Sequence, residues 1–230
     1  MAFHFCKCKG GWEMKKRIMI FGDSNTWGWN PANDLVSPLI RWDDDTRWPG
    51  VMQKELGDDY LVIPEGLNGR TSVWDDPIEE YRCGKDQIIP CLDSHAPIDL
   101  CIIFVGTNDL KVRYTVSPQD IANGVAIIVD KTLHQAGAFT NQKPKVLLVC
   151  PPPLGDNIEN GVFGVMFEGN VEKSKKMPPY FEGVAKTYGV EYFDAGKYVK
   201  SSDEDGLHLQ ADQHKILGVE ISKVVKEMLG

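Results

Sequence analysis

The sequence lacks any apolar run long enough to cross a membrane. Its longest runs, such as Leu100–Val105, have the length of a strand, whereas a membrane helix needs about 20 apolar residues. Positive charge is also in deficit, because 25 Lys and Arg residues stand against 33 Asp and Glu residues, for a formal net charge of −8. A non-specific nucleic-acid binder needs a basic face to neutralise phosphates. We therefore expect neither nucleic acid nor an anionic membrane as a partner.

Cysteine is scarce as well. Six cysteines in 230 residues do not form the disulfide framework of a small secreted domain. Cys101 and Cys150 stand within apolar strand patterns and are predicted to be buried thiols, while Cys83 and Cys91 could pair although nothing requires it. Free thiols are typical of a reducing compartment, so we predict a cytoplasmic location.

No internal repeat, low-complexity tract or domain boundary is visible. The chain is 42% hydrophobic and 25% charged, and its length suffices for one core. Residues 1–14 precede the first strand pattern and lack the continuous apolar core of a signal peptide. We predict a disordered leader over residues 1–14 and a single domain over residues 15–230. Cys6 and Cys8 in this leader could bind a metal, but no second ligand pair has matching spacing, so no metal site is predicted.

Short apolar runs alternate with longer amphipathic stretches. The runs predict five strands, at Arg17–Phe21, Tyr60–Pro64, Asp99–Val105, Lys145–Cys150 and Glu191–Asp194. The stretches between and after them predict helices at Thr46–Leu56, Lys85–His95, Ser117–Ala136, Val171–Tyr188 and Gln210–Leu229. Pro90 is expected to stand in the first turn of its helix or to kink it, and Pro178–Pro179 to kink or split theirs. Runs that are apolar on both faces are typical of parallel strands covered by helices on each side. The pattern predicts a three-layer α/β domain with a five-stranded, mainly parallel sheet and helices on both faces.

Ligand and catalytic sites in such sheets lie at the carboxyl ends of the strands. The first predicted strand is followed by Gly22-Asp23-Ser24, where Gly22 permits a tight turn and Ser24 exposes its hydroxyl near a helix N-terminus. A serine that merely caps the helix is the alternative, and Asp23 is expected to hold the loop rather than to act in catalysis. The third strand is followed by Gly106-Thr107-Asn108-Asp109, in which Asn108 could aim its amide into the same crevice or satisfy local backbone.

Two further segments complete the candidate chemistry. The loop after the second strand contains Gly69, which could present a free backbone N–H or simply form a turn. Near the C-terminus, Asp205 stands three residues before His208, a spacing that lets the carboxylate reach Nδ1 and leaves Nε2 to accept a proton. The alternative is a surface aspartate beside a helix-flanking histidine. Asp203 and Glu204 are less well spaced.

The remaining histidines are weaker candidates for the base. His4 stands in the predicted leader, and His95 and His134 stand in predicted helices. His214 is expected on the outward face of the last helix.

Together and in this order, these segments resemble the blocks of the GDSL/SGNH hydrolase family. The matching blocks are Gly22-Asp23-Ser24, Gly69 in Asn68-Gly69-Arg70-Thr71, Gly106-Thr107-Asn108-Asp109, and Asp205 with His208. The resemblance covers about residues 16–229. Stretches at 22–29, 47–48, 65–67, 151–154 and 167–169 are similar to the small arylesterase/acyltransferase branch. The resemblance implies a flavodoxin-like SGNH hydrolase fold and a serine esterase.

The resemblance also implies residue roles. Ser24 would be the nucleophile, His208 the base and Asp205 the acid that orients it, as in a Ser-His-Asp triad. The oxyanion hole would consist of the N–H groups of Ser24 and Gly69 and the side-chain amide of Asn108. Trp29 resembles a pocket-lining position of this branch. We predict a substrate pocket lined by Asn25, Trp29, Lys111, Phe163, Met166, Phe167 and Leu207, with solvation as the alternative for Lys111. No metal or organic cofactor is needed for this chemistry.

Two of these positions bear on the substrate. Asn25 stands where the family usually has Leu, so it is expected to change the polarity of the pocket. The apolar stretch at 161–169 either packs in the core or forms a flap that closes the site or packs on another subunit. In the resembled branch such loops help to form oligomers with restricted channels, which implies a homo-oligomer and small acyl groups.

The favoured function is hydrolysis of small, acetyl-type esters through an acyl-enzyme, with water or an alcohol as the acceptor. A carbohydrate O-acetylesterase of the same family is an alternative, because tryptophan-rich walls suit stacking on sugars. An alternative from a different class is a non-catalytic, flavodoxin-like binding module. The first strand is not followed by either of the glycine-rich loops that bind nucleotide phosphates, which argues against nucleotide binding.

Overall fold

The computed structural model describes residues 15–230, so the predicted leader, with Cys6 and Cys8, lies outside the described residues. The strands are β1 (Lys16–Gly22), β2 (Tyr60–Gly66), β3 (Leu100–Phe104), β4 (Val146–Cys150) and β5 (Glu191–Asp194). They form one sheet in the order β2-β1-β3-β4-β5, and every neighbouring pair is parallel. The five predicted strands and the parallel sheet are thereby confirmed.

Helices occupy the connections. They are α1 (Ser24–Trp27), α2 (Trp48–Leu56), α3 (Gly84–His95), α4 (Pro118–His134), α5 (Gly164–Phe167), α6 (Val171–Ser174), α7 (Pro178–Tyr188) and α8 (Ala211–Leu229). Short 3₁₀ turns lie at Asn108–Leu110, Val112–Tyr114, Ala136–Ala138, Thr140–Gln142, Ile158–Asn160 and Ala195–Lys197. No helix within residues 15–230 is both long and apolar enough to span a membrane.

Proline and capping residues set several helix boundaries. Of the two outcomes expected at Pro178–Pro179, a kink or a split, the structure shows a split: the stretch Val171–Tyr188 is divided into α6 and α7, because Pro178 fits the first turn of a new helix and not a helix interior. Pro90, in contrast, lies inside α3 without ending it. At the start of α4, Ser117 Oγ accepts the N–H of Asp120 at 3.1 Å, and Asp120 Oδ2 accepts the N–H of Ser117 at 3.1 Å. This reciprocal capping box fixes the first turn of α4.

Alternate residues of the strands enter two separate cores. From β1, Ile18 and Ile20 pack with α2 and α8, while Met19 and Phe21 pack with α3, α4 and α7 on the opposite face. This alternation follows from the two-residue period of a strand. It produces the predicted three layers, with the sheet buried between two layers of helices.

His214 corrects one sequence-based expectation. It lies fully buried on the face of α8 that packs against α2, not on the outward face. Its Nδ1 accepts the N–H of Trp48 at 3.3 Å. Burial lowers the pKa of His214 to about 3, because the charged imidazolium would lose its hydration there.

The register of the strands brings several loops to one edge of the sheet. Gly22 at the end of β1 pairs with Gly66 of β2 on one side and with Phe104 of β3 on the other. The segments that follow these three strands therefore begin side by side at the carboxyl edge. This is where a doubly wound sheet places its ligands.

Candidate active site

A tight turn presents Ser24 at the carboxyl end of β1. A side chain at Gly22 would collide with that of Thr26, so the turn requires glycine at this position. The carboxylate of Asp23 caps the short helix α1, since its Oδ1 accepts the N–H of Asn25 at 3.0 Å. Burial raises the pKa of Asp23 to about 6. Asp23 thus holds the turn that carries Ser24.

A continuous series of hydrogen bonds joins Ser24 to a histidine and an aspartate from the other end of the chain. His208 Nε2 lies 2.9 Å from Ser24 Oγ, and His208 Nδ1 lies 2.6 Å from Asp205 Oδ2. All three residues are buried. These distances allow Nε2 to take the hydroxyl proton while the carboxylate fixes the tautomer and orientation of the ring.

The loop before α8 fixes Asp205 by its own backbone. Asp205 Oδ1 accepts the N–H groups of Leu207 and His208, each at 2.9 Å. Burial alone would raise the pKa of Asp205, but the hydrogen bond and charge of His208, together with these backbone donors, hold that pKa below its usual range. Asp205 is therefore an ionised, oriented partner for the imidazole.

Two aromatic rings enclose the imidazole of His208. The Trp29 ring stacks on it with a centroid distance of 5.3 Å, and the Phe163 ring meets it edge-on at 5.4 Å. The two aromatic rings also contact each other at 5.7 Å. Such contacts restrict the ring orientation, and aromatic faces attract a positively charged imidazolium.

Three predicted oxyanion donors line the same cavity as His208. They are Ser24, Gly69 and Asn108, which follow β1, β2 and β3 respectively. Within residues 15–230, the backbone N–H groups of Ser24 and Gly69 donate to no other group. Gly69 adopts a φ of +77°, a conformation that favours glycine. These donors are free to meet a developing negative charge.

The cavity has a volume of about 210 Å³. Its lining includes six of the seven predicted pocket residues, which are Trp29, Lys111, Phe163, Met166, Phe167 and Leu207. The stretch at 161–169 supplies three of them and contains the short helix α5, whose Phe167 is buried while Val165 is exposed.

Asn25 is the predicted pocket residue that does not line the cavity. Its side chain turns away from the pocket, because Oδ1 accepts the N–H of Leu209 at 3.0 Å. This bond ties α1 to the loop that carries His208. Asn25 thus contributes to alignment of the two halves of the site and not to pocket polarity.

Sequence reasoning missed three residues of the lining, Leu35, Asn68 and Glu79. Asn68 could have been found, because it adjoins Gly69 in a family block. Leu35 and Glu79 lie outside the motifs in irregular segments, where no periodicity or spacing indicates them.

A group of three possible metal ligands lies elsewhere in the described chain. Asp75, Cys83 and Asp86 place their ligand atoms within 4.8 Å of one another. Both aspartates are exposed, and exposed acidic groups commonly meet without an ion. None of the three residues lines the cavity that contains Ser24.

A parallel α/β sheet that carries a hydrogen-bonded Ser, His and Asp at its carboxyl edge has the arrangement by which serine hydrolases are recognised. The sequence profile of the GDSL-like lipase/acylhydrolase family matches residues 20–216. The chain belongs to this family.

Solved structures agree with this assignment. The carbohydrate acetylesterase Est24 from Sinorhizobium meliloti is 39% identical, with a TM-score of 0.88 over 94% of this chain and 100% of that one. The aryl esterase of M. smegmatis is also 39% identical, with a TM-score of 0.87 over 93% and 100% of the two chains. A carbohydrate acetylesterase family member from Sinorhizobium meliloti is 33% identical, with a TM-score of 0.84 over 94% and 99%. A comparison with curated proteins gave no match.

Proposed function

We propose that this protein is a serine esterase that hydrolyses small carboxylic esters, above all acetyl esters, through an acyl-enzyme. The observation that carries the proposal is the series of hydrogen bonds from Asp205 through His208 to Ser24, which opens into a cavity containing free N–H donors. Similarity to an aryl esterase and to carbohydrate acetylesterases supports the same reaction class.

The proposed reaction has two halves. Ser24 Oγ attacks the ester carbonyl while its proton passes to His208 Nε2, and Asp205 stabilises the imidazolium. The N–H groups of Ser24 and Gly69 and the amide of Asn108 donate to the oxyanion, and each such donor typically contributes about 2.7–4 kcal/mol of barrier stabilisation. The imidazolium then protonates the leaving alcohol. Water, activated by the same imidazole, hydrolyses the acyl-enzyme.

The cavity supports a preference for short acyl groups. Its volume of about 210 Å³ is below the roughly 300–1,000 Å³ of pockets for drug-sized ligands. Phe163, Met166 and Phe167 contribute bulky apolar side chains to its lining. A series of p-nitrophenyl esters from acetyl to octanoyl should show kcat/KM falling steeply with chain length. Equal rates across the series would contradict a restricted acyl site.

A carbohydrate O-acetylesterase is the second candidate. Similarity to two carbohydrate acetylesterases favours it, and so do the polar residues Asn68, Glu79 and Lys111 in the cavity lining. Rates on p-nitrophenyl acetate and on acetylated xylooligosaccharide separate a general arylesterase from an enzyme that selects sugars.

Acyl transfer would use the same intermediate. An alcohol in place of water at the acyl-enzyme would form a new ester, and the apolar wall of the cavity would favour an alcohol over water. Partitioning of the acetyl group between water and added benzyl alcohol measures this directly.

We also propose that the chain self-associates and acts in the cytoplasm. Leu35, Val36, Leu39 and Ile40 are exposed on one loop beside the cavity, and such apolar surface is typical of an interface. Within residues 15–230 the cysteines, including Cys83 and Cys91, are free thiols, as expected in a reducing compartment. Light scattering after chromatography gives the subunit number, and cell fractionation gives the location.

The central test is the Ser24→Ala variant. It should lose at least about 10³-fold in kcat on p-nitrophenyl acetate and should form no covalent adduct with an organophosphate, as measured by intact mass. Ser37→Ala is the matched control, because Ser37 is exposed and bonds only to Asp34 among the described residues. Full activity of Ser24→Ala would refute the proposed function.

A further inference from the structure

A cluster of charged side chains adjoins the cavity, and two of its members, Lys111 and Glu79, line it. The Lys111 side chain is only 2% exposed, and its ammonium donates to Asp76 Oδ2 at 3.2 Å and to Glu79 Oε1 at 2.7 Å. Buried charges persist only where they are paired, because removal from water is costly. Lys111 therefore holds the Glu79 carboxylate in a fixed place.

Asp76 anchors the turn on which Glu79 stands. Its buried carboxylate accepts the N–H groups of Ile78 at 2.9 Å and Glu79 at 3.0 Å, and Arg113 Nη1 donates to it at 2.7 Å. Burial alone would raise the pKa of Asp76, but these backbone donors, with the hydrogen bond from Lys111, hold that pKa well below its usual range. The turn is thus tied down by an ionised group.

Glu79 is the member of this cluster that faces the cavity. Its side chain is 32% exposed, and it lines the same cavity as Ser24. Oε1 is occupied by Lys111, whereas Oε2 accepts no hydrogen bond from any group in the part of the chain that the structure describes. Oε2 lies 2.5 Å from the position that a Cβ on Gly69 would take. An acceptor oxygen without a donor among the described residues therefore stands directly beside a proposed oxyanion donor.

We propose that Glu79 is a specificity-determining residue, whose Oε2 accepts a hydrogen bond from a hydroxyl group that the substrate carries close to its ester. An ester whose carbonyl oxygen meets the Gly69 N–H places neighbouring atoms within reach of this carboxylate. Hydroxyl-bearing esters are then favoured over apolar esters of equal size. Lys111 and Asp76 act as positioning residues for Glu79. The inference rests on the proposed esterase function.

Two acetate esters of equal size test this preference. In 2-hydroxyethyl acetate a hydroxyl replaces the terminal methyl of propyl acetate, so the two substrates differ in one hydrogen-bond donor. The Glu79→Gln variant keeps the shape of the side chain but removes its charge. Because hydrogen bonds to charged groups are stronger than neutral ones, the ratio of kcat/KM for the hydroxyl ester to that for propyl acetate should fall about tenfold.

The controls separate recognition from structure. Glu80→Gln makes the same chemical change at the adjacent, exposed residue, which does not line the cavity, and should leave both rates unchanged. Propyl acetate supplies the reference rate for each variant, so the ratio removes any effect of the substitution that is common to both esters. If Glu79→Gln is unfolded by circular dichroism, Glu79→Asp, which withdraws the carboxylate by one methylene, should show the same fall in the ratio.

The other possible outcomes would refute either the role of Glu79 or the proposed esterase function. Equal losses on both esters would show that Glu79 only supports the Gly69 loop and would overturn the inference, as would an unchanged ratio. A wild-type protein that hydrolyses neither ester, with Ser24→Ala indistinguishable from it, would refute the proposed function itself. If hydrolysis of propyl acetate depends on Ser24 but the ratio of the two kcat/KM values is the same in Glu79→Gln as in the wild-type protein, only the inference about Glu79 is refuted.

Discussion

Replacement of Asp205 by asparagine is a sharp test of the hydrogen-bonded series, because the structure determines how the new side chain must sit. Asp205 Oδ1 accepts two backbone N–H groups at 2.9 Å, while Oδ2 faces His208 Nδ1 at 2.6 Å. An asparagine oxygen must stay with the two backbone donors. Its NH₂ group is then turned toward Nδ1, which has to become an acceptor.

This exchange changes the tautomer of the imidazole without changing its place. With Nδ1 as the acceptor, the neutral ring carries its proton on Nε2, which lies 2.9 Å from Ser24 Oγ. Nε2 then cannot take the hydroxyl proton, and no carboxylate stabilises the imidazolium. The expected loss in kcat is about 10⁴-fold, as the same exchange causes in a serine protease, or about 5.5 kcal/mol of activation free energy.

The assay is initial-rate hydrolysis of p-nitrophenyl acetate by purified Asp205→Asn. Asp203→Asn serves as the control, because it makes the same substitution two residues away on a side chain that is 87% exposed and pairs with Lys200 at the surface. The control should retain its rate. A folded Asp205→Asn protein that loses less than tenfold in kcat would refute the role of this carboxylate.

Three further variants test other features. His214→Gln should be less sensitive to acid than the wild-type protein. The pKa of His214 is about 3 in the folded protein and about 6.5 in the unfolded chain, so below pH 6.5 protons bind the unfolded chain and lower the free energy of unfolding. Urea unfolding at pH 7.5 and 4.5 should show a wild-type loss about 2–3 kcal/mol larger than that of the variant, and equal losses would contradict this account. Lys111→Met should lower the free energy of unfolding in urea at pH 7.5 by about 3–5 kcal/mol, because it leaves Glu79 and part of Asp76 unpaired. The control Lys200→Met, at an exposed lysine, should change it by less than about 0.5 kcal/mol. Trp29→Leu removes the ring stacked on His208 and should lower kcat on p-nitrophenyl acetate by about two- to tenfold, whereas an unchanged kcat would show that stacking does not position the imidazole.

The strands could be predicted because burial on both faces leaves a direct signature in the sequence. Each strand is a short apolar run that ends near glycine, proline or a polar residue, and the five runs were located to within two residues at each end. Helix α4 was similarly marked by Ser117 and Pro118 at its start. The prolines at 178–179 predict either a kink or a split, and the apolar spacing does not decide between them. The structure shows the split, with α7 beginning at Pro178.

The side chains at the strand ends could be predicted to meet because parallel strands bring their carboxyl ends to one edge. Ser24, Gly69 and Asn108 each follow a strand, and the three strands are neighbours in the sheet. Asn25 shows the limit of this reasoning, because its neighbour in sequence lines the cavity while its own side chain bonds to the backbone of Leu209.

The sequence by itself determined the layered α/β architecture and the set of candidate catalytic residues, since both depend on local patterns and on short spacings. Only the tertiary structure decided that His214 is buried, that Asn25 aligns two loops, and that Glu79 meets Lys111 beside Gly69. Contacts between segments far apart in the chain depend on how helices and loops pack. That packing results from many small contributions summed over the whole molecule, so no short stretch of residues carries its signature.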